Sequence, residues 1–413
     1  MRISALPVYY GWLVLAASAC CELLVMGATA YAAGLFVLPI QAEFHITRTA
    51  ANSSIIILYL GAAVVAPVIG RILDRGSISR VVCLSAMIFG AALATIALSS
   101  SLLVMAVMLF LPAAVGFAAT GPLMTQTLVT RWFNRNRGLA LGIAAVATSG
   151  GGFVVVPLLS EAIQRYGWRQ GLLLEAVIIA GILILLSLAV LRDRPSDVGL
   201  GDHPENQGGA GATGDSYVAI SWRSFFSSSA FWVPALTLST ISGTSQATVI
   251  TLVPYGIQTG LAPTSAALLI SVFAVAAGIT KVTAGLLADR INQHGLLIVA
   301  ALCMTLSWLG LYLSQAYLVL FTAAALAGMG LGCALPTAAG LIAMHFGAMR
   351  FGAIMGWAYA FTAILAIVAV LFVGAVFDAT RSYRPAFESF SVVLACILGA
   401  TLVFARSAQD IRT

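Results

Sequence analysis

Lysine is nearly absent from this chain of 413 residues. Lys281 is the single one, and the other nineteen of its twenty basic residues are arginines. Charged residues of both signs amount to 8%, against about a quarter in soluble domains, which excludes a water-soluble globular fold. The net charge of +6 carries no nucleic-acid signal, because the arginines gather in loops and at the ends of apolar segments. All six cysteines (Cys20, Cys21, Cys83, Cys303, Cys333, Cys396) fall in apolar stretches without metal-ligand spacing. They are expected to be free thiols packing as small apolar side chains. His45, His203 and His294 lie in loops or at segment ends, so no metal site is expected. The chain has no Walker motif, no dinucleotide fingerprint framed by a strand and a helix, and no HExxH. Neither an enzyme, nor a cofactor-binding protein, nor an ATP-driven pump is expected.

What the chain has is apolar length. Hydrophobic residues make up 61%, and mean hydropathy is +1.03. Runs of about 20 apolar residues can cross a bilayer as helices. Twelve are present, at 10–39, 50–73, 80–100, 102–131, 138–164, 170–191, 230–258, 264–287, 294–314, 316–346, 351–377 and 385–405. They predict an all-α polytopic membrane protein. The first run is too long for a signal-peptide core and is expected to be retained. Twelve crossings put both termini on one side. The loops on that side, with the termini, hold Arg2, Arg71, Arg75, Arg80, Arg131, Arg135, Arg137, Arg192, Arg194, Arg223, Arg290, Arg350, Arg406 and Arg412. The other loops hold only Arg48, Arg165, Arg169, Arg381 and Arg384. The positive-inside rule then places both termini in the cytoplasm.

The one long polar stretch divides the chain into 1–191, a linker at 192–229, and 230–413. Its middle, 199–214, is rich in glycine and polar residues and reads as flexible. Trp222, Phe225 and Phe226 beside Arg223 predict a short interfacial helix. The two halves repeat each other. Gly70, Asp74 and Arg75 recur 215 positions later as Gly285, Asp289 and Arg290, and Phe133 and Arg137 recur 213 positions later as Phe346 and Arg350. Two related six-helix bundles are expected, with a ligand site near the bilayer midplane between them.

Gly70-Arg71-Ile72-Leu73-Asp74-Arg75, followed by Arg80, resembles the signature loop of the major facilitator superfamily, and Gly285-Leu286-Leu287-Ala288-Asp289-Arg290 is a second copy. Glycine there permits close helix approach, and the carboxylate can bind an arginine or a helix N-terminus. Such loops are expected to act in gating. Arg131-Trp132-Phe133-Asn134-Arg135-Asn136-Arg137-Gly138-Leu139-Ala140-Leu141-Gly142 leads into Ser149-Gly150-Gly151-Gly152. This stretch resembles the helix 4–5 signature of the monocarboxylate transporter family and of its bacterial oxalate/formate-antiporter relatives. Tyr10-Gly11-Trp12 and Arg194-Pro195-Ser196-Asp197-Val198-Gly199-Leu200 agree with it. The resemblance implies secondary transport of small organic monocarboxylates, lactate- or pyruvate-like, by alternating access in a bacterial inner membrane. It implies a proton as the coupled ion, the lipid bilayer as surroundings and a monomer as the working unit. An organic-anion exchanger, or an exporter of another amphipathic solute, is the alternative; a non-transporting membrane sensor is a distant one.

Lys281 and Glu22 are the charges of interest inside apolar segments. An ammonium in hydrocarbon persists only where it meets a cavity, water or a partner. Lys281 is therefore the first candidate for binding a carboxylate. The resembling families carry arginine at this point of helix 8, four residues before the signature glycine; here it is lysine, and Ala277 stands where relatives often have Asp or Asn. Lysine is a compact charge rather than a bidentate fork. Lys281 lies about 12 Å along the helix from Asp289, and a lysine snorkelling to the cytoplasm or a structural ion pair is the bland alternative. Glu22 lies about 18 Å along helix 1 from Tyr10, near the bilayer centre, and is the candidate proton carrier. A structural hydrogen bond within helix 1 is its alternative, since Ser18 and Thr29 share its face. Tyr31, Tyr59, Gln246, Trp357, Tyr359 and Phe361 are the remaining candidates for lining the site, although aromatics at such spacing more often pack. Glu175, near the start of helix 6, is expected to pair locally, with Arg169.

Overall fold

The computed structural model describes residues 9–46, 48–200 and 225–410, and all of their regular structure is helical. Twelve long helices follow one another among these residues: α1 (Tyr10–Phe44), α2 (Arg48–Arg75), α3 (Ile78–Leu98), α4 (Leu102–Trp132), α5 (Arg137–Tyr166), α6 (Trp168–Ala189), α7 (Ser229–Gln258), α8 (Pro263–Ala288), α9 (Gln293–Leu313), α10 (Tyr317–Phe346), α11 (Phe351–Thr380) and α12 (Arg384–Asp410). Eleven are long and apolar enough to cross a membrane. The twelfth, α7, has the length but a run of hydroxyls and an amide at its middle. Its hydroxyls turn back onto their own helix: Thr244 Oγ1 donates to Thr240 O at 2.8 Å, Ser245 Oγ to Ile241 O at 2.7 Å, and Thr248 Oγ1 to Thr244 O at 3.0 Å. That local satisfaction lets a polar helix sit in an apolar medium.

The repeat predicted from the signature residues is present in the packing. In the first six helices α4 packs on α1, α2 and α3, and α6 packs on α1 and α3. In the last six, α10 packs on α7, α8 and α9, and α12 packs on α7 and α9. Each pairing recurs six helices later, so the chain holds two pseudo-symmetric six-helix bundles. Compactness divides the chain differently, giving one unit of Met1–Arg135, Val146–Gly214 and Gly347–Ala360, and another of Asn136–Ala145, Asp215–Phe346 and Phe361–Thr413. The division passes through the first half of α5 and of α11.

Two helices depart from regular geometry where the sequence reading expected none. α1 carries a π-helical turn at Gly27–Tyr31, and α4 carries one at Leu109–Ala113 that contains Pro112. α4 is also interrupted at Gly121, after which Pro122 restarts it at a first-turn position that needs no N–H donor. α1 runs past Pro39 to Phe44, beyond its expected end, since one proline removes only one hydrogen bond from a helix otherwise intact. Residues 201–224, which include His203, Trp222, Arg223 and most of the expected flexible stretch, lie outside the described residues, as do Arg2 and Arg412. Phe225 and Phe226 pack onto the start of α7, with ring centroids 5.2 Å from Phe231 and 5.7 Å from Trp232 respectively.

Candidate functional site

The glycines of the α5 signature are accounted for by helix crossings. In the first unit, Gly151 abuts the α1 backbone at Leu23 and Gly27, where no side chain would fit, and a Cβ on Gly27 would lie 2.9 Å from Gly151 O. Gly152 lies under the Tyr31 ring, a Cβ there reaching Tyr31 Cδ1 at 3.2 Å. This crossing holds the π-helical turn of α1 against α5. π-turns inside α-helices frequently occur at functional sites.

Glu22 lies one turn before that π-turn and is 1% exposed. The two hydroxyls expected on its face are engaged elsewhere: Ser18 Oγ donates to Leu15 O at 3.0 Å, and Thr29 Oγ1 donates to Val25 O at 2.6 Å. The field of Glu22 instead reaches Tyr31 and Tyr359. Tyr59, whose ring centroid is 6.2 Å from Phe117, is coupled in turn to Tyr31. Ser149 is the hydrogen-bonding neighbour of the Tyr31 hydroxyl, and Gln126 that of Tyr359. Four sequence candidates (Glu22, Tyr31, Tyr59, Tyr359), contributed by α1, α2 and α11, thus come together. Gln126 and Ser149 join them from α4 and α5. The sequence reading missed Gln126. Its signal was a lone amide in the polar run Thr125–Thr130, which passed as the end of a membrane helix.

Lys281 lies in the second unit, on α8, and is 5% exposed. That burial is incompatible with an ammonium extended into water. Its main chain is gripped from two sides. A Cβ on Gly142 of α5 would lie 2.6 Å from Lys281 O, and one on Gly332 of α10 would lie 3.1 Å from Lys281 N. Of the small residues on its face, Gly285 meets Gly138 and Gly142, whereas a Cβ on Gly278 would meet open space. Gln246 is an exposed position of α7. Phe361 packs 5.3 Å from the Trp232 ring, among the aromatics at the start of α7. Trp357 is half-buried on α11.

The two signature loops have the same chemistry. Asp74 accepts from Gly352 N at 2.8 Å and Ala353 N at 2.6 Å, the first turn of α11. Asp289 accepts from Gly138 N at 2.6 Å and Leu139 N at 2.8 Å, the first turn of α5. Each carboxylate therefore caps a helix N-terminus, where free N–H groups and the helix dipole favour an anion. Glycines make the approach possible: Cβ atoms on Gly138 and Gly285 would each lie 2.5 Å from the other's carbonyl oxygen, and Gly70 and Gly352 are paired likewise. Arg131 serves the neighbouring C-terminus, donating from Nη2 to Leu73 O at 2.6 Å and Asp74 O at 3.0 Å. Arg137 is electrostatically coupled to Asp289. Arg75, Arg80, Arg135 and Arg290 are exposed. Asp74→Ala and Asp289→Ala are each expected to cost about 2 kcal/mol of stability, because two charge-assisted bonds go unmade. The melting temperature of the detergent-purified protein reads this, and an unchanged value in both variants would remove the capping role.

One expected pairing is corrected. Arg169 binds Glu43, with Nε 3.1 Å from Oε1, and Trp168 Nε1 donates to the other Glu43 oxygen at 2.8 Å. Glu175 is 6% exposed, and neither carboxylate oxygen has a hydrogen-bond partner among the described residues. Six positions along a helix turn the two side chains about 120° apart, so Arg169 and Glu175 do not share a face.

The sequence model of the Major Facilitator Superfamily matches residues 18–260 and again 235–412. The chain belongs to that superfamily. A fungal "MFS-type transporter" from Gibberella moniliformis is 28% identical over 282 residues, covering 67% of this chain and 62% of that protein. An uncharacterised MFS-type transporter, YcxA of Bacillus subtilis, is 24% identical over 39% of each chain. Human Monocarboxylate transporter 11 is 28% identical over 39% of this chain and 32% of its own length. The matched stretch therefore spans less than two thirds of each of these three relatives. Among solved structures, the fucose:proton symporter FucP of E. coli has a TM-score of 0.68 at 17% identity, covering 96% of this chain and 99% of its own. The proton:xylose symporter XylE has a TM-score of 0.72 at 15% identity, covering 96% and 95%. These likenesses show the fold: a multi-pass, all-α membrane protein of the superfamily.

Proposed function

We propose that this protein is a secondary transporter of small organic monocarboxylates, of lactate or pyruvate size, coupled to protons. The observation that carries the reading is the buried ammonium of Lys281 on a membrane-spanning helix, the one lysine of the chain. An ionisable residue inside a membrane helix marks a functional site by default, and a carboxylate is an anion that an ammonium binds. Lys281 binds the substrate carboxylate, and Glu22 with its tyrosines carries the proton. Likeness to Monocarboxylate transporter 11 supports the substrate class. Alternating access presents the bound solute to each side in turn. Transport rather than catalysis follows, with no cofactor, and a single copy suffices.

The test is uptake of labelled lactate by proteoliposomes holding the purified protein, with and without an imposed pH gradient. Accumulation against the lactate gradient supports symport. Exchange that needs lactate inside and ignores pH would favour the organic-anion exchanger, and binding without flux would favour a sensor.

The bilayer reading places both termini and the signature loops in the cytoplasm of a bacterial inner membrane. In a background lacking the six native cysteines, a cysteine at Ser77 and one at Ser382 are expected to react with an impermeant thiol reagent from opposite sides. Labelling of both from one side would overturn the topology.

A further inference from the structure

On this part of α1 and α4 the serine and threonine hydroxyls are satisfied by main-chain carbonyls. On α1, Ser18 and Thr29 donate within their own helix. On α4, Thr125 Oγ1 donates across to Ser18 O at 3.1 Å, Thr127 Oγ1 to Leu123 O at 2.7 Å, and Thr130 Oγ1 to Thr127 O at 2.9 Å. Gln126 sits in the same turn, 2% exposed, and its Oε1 has no hydrogen-bond partner among the described residues. The Tyr359 hydroxyl has none either. Gln126 is its hydrogen-bonding neighbour, yet the two do not close a bond of ordinary geometry. Folded proteins leave few buried polar atoms unpaired, and two in one cluster mark a place where a further polar group belongs. The cluster has an accessible rim, because Tyr31, which shares the field of Glu22 with Tyr359, is 43% exposed.

The chemistry of the two groups selects the ligand. A phenol O–H donates, and an amide oxygen accepts. A carboxylate or a ketone only accepts, and would leave Gln126 Oε1 unpaired. An alcohol accepts from one and donates to the other. We propose that Gln126 and Tyr359 recognise a hydroxyl group, so that hydroxylated solutes are preferred over their unsubstituted counterparts. This statement does not rest on the carboxylate reading above.

The experiment compares two matched pairs by thermal shift of the purified full chain: glycolate against acetate, and the uncharged hydroxyacetone against acetone. Glycolate is expected to stabilise at about a tenfold lower concentration than acetate, because a site built to bond a hydroxyl discriminates against the analogue lacking it. Tyr359→Phe and Gln126→Leu are each expected to bring that ratio to about one. Tyr359→Phe is not expected to lower the melting temperature of the unliganded protein, because the oxygen it removes closes no bond of ordinary geometry among the described residues; a structural tyrosine would show a loss. Equal responses to the two members of both pairs in the wild type overturn the proposal, as does a ratio that survives both substitutions. Binding confined to the uncharged pair, with hydroxyacetone preferred, would sink the carboxylate reading and uphold the hydroxyl site.

Discussion

Lys281→Ala is expected to lower carboxylate uptake by about a hundredfold while the protein still inserts and folds. Truncating one side of a buried charge pair typically costs about 2–5 kcal/mol, and 1.4 kcal/mol is a factor of ten. The main-chain packing at this position is kept by the truncation. Gly142 faces Lys281 O and Gly332 faces Lys281 N, and neither contact changes when the side chain is cut back. Lys281→Arg keeps the charge but spreads it over a planar fork, so partial uptake is expected. Counting inserted protein by a C-terminal tag and measuring initial uptake separates the two effects. Full uptake by a well-inserted Lys281→Ala variant would remove this residue from the mechanism.

Glu22→Gln is expected to stop pH-driven accumulation and to preserve substrate counterflow. Glutamine keeps the shape and the hydrogen-bonding capacity of the side chain but cannot take up or release a proton there. Exchange of one solute molecule for another needs no net proton movement, so it should continue. Both measurements belong on the same vesicles. Undiminished uphill uptake by the variant would make Glu22 a structural residue. Loss of both activities would point to a role in binding, alongside Tyr31 and Tyr359, whose rings share its field.

Much of this arrangement was legible in the sequence because its signals are local or repeated. Apolar runs gave the twelve helices, and the repeated Gly-x-x-x-Asp-Arg loops gave the two-bundle organisation. The glycines of α5 were legible as a motif. Which helix each one approaches was not, since that depends on tertiary packing: Gly138 and Gly142 meet α8, while Gly151 and Gly152 meet α1. The signature aspartates had two chemically equal destinations in sequence terms, an arginine or a helix N-terminus. Packing selected the helix, bringing the first turns of α5 and α11 to Asp289 and Asp74. Gln126 was illegible for another reason. Its neighbours satisfy themselves within local turns, and only the folded chain shows that its oxygen does not.

The central claim is proton-driven movement of a small monocarboxylate, and lactate uptake into proteoliposomes tests it most directly. With the outside acidic, labelled lactate should accumulate above its equilibrium level, fall to that level on addition of a protonophore, and stay at the protein-free rate for Lys281→Ala. Wild-type uptake no faster than protein-free vesicles at every pH would contradict the account.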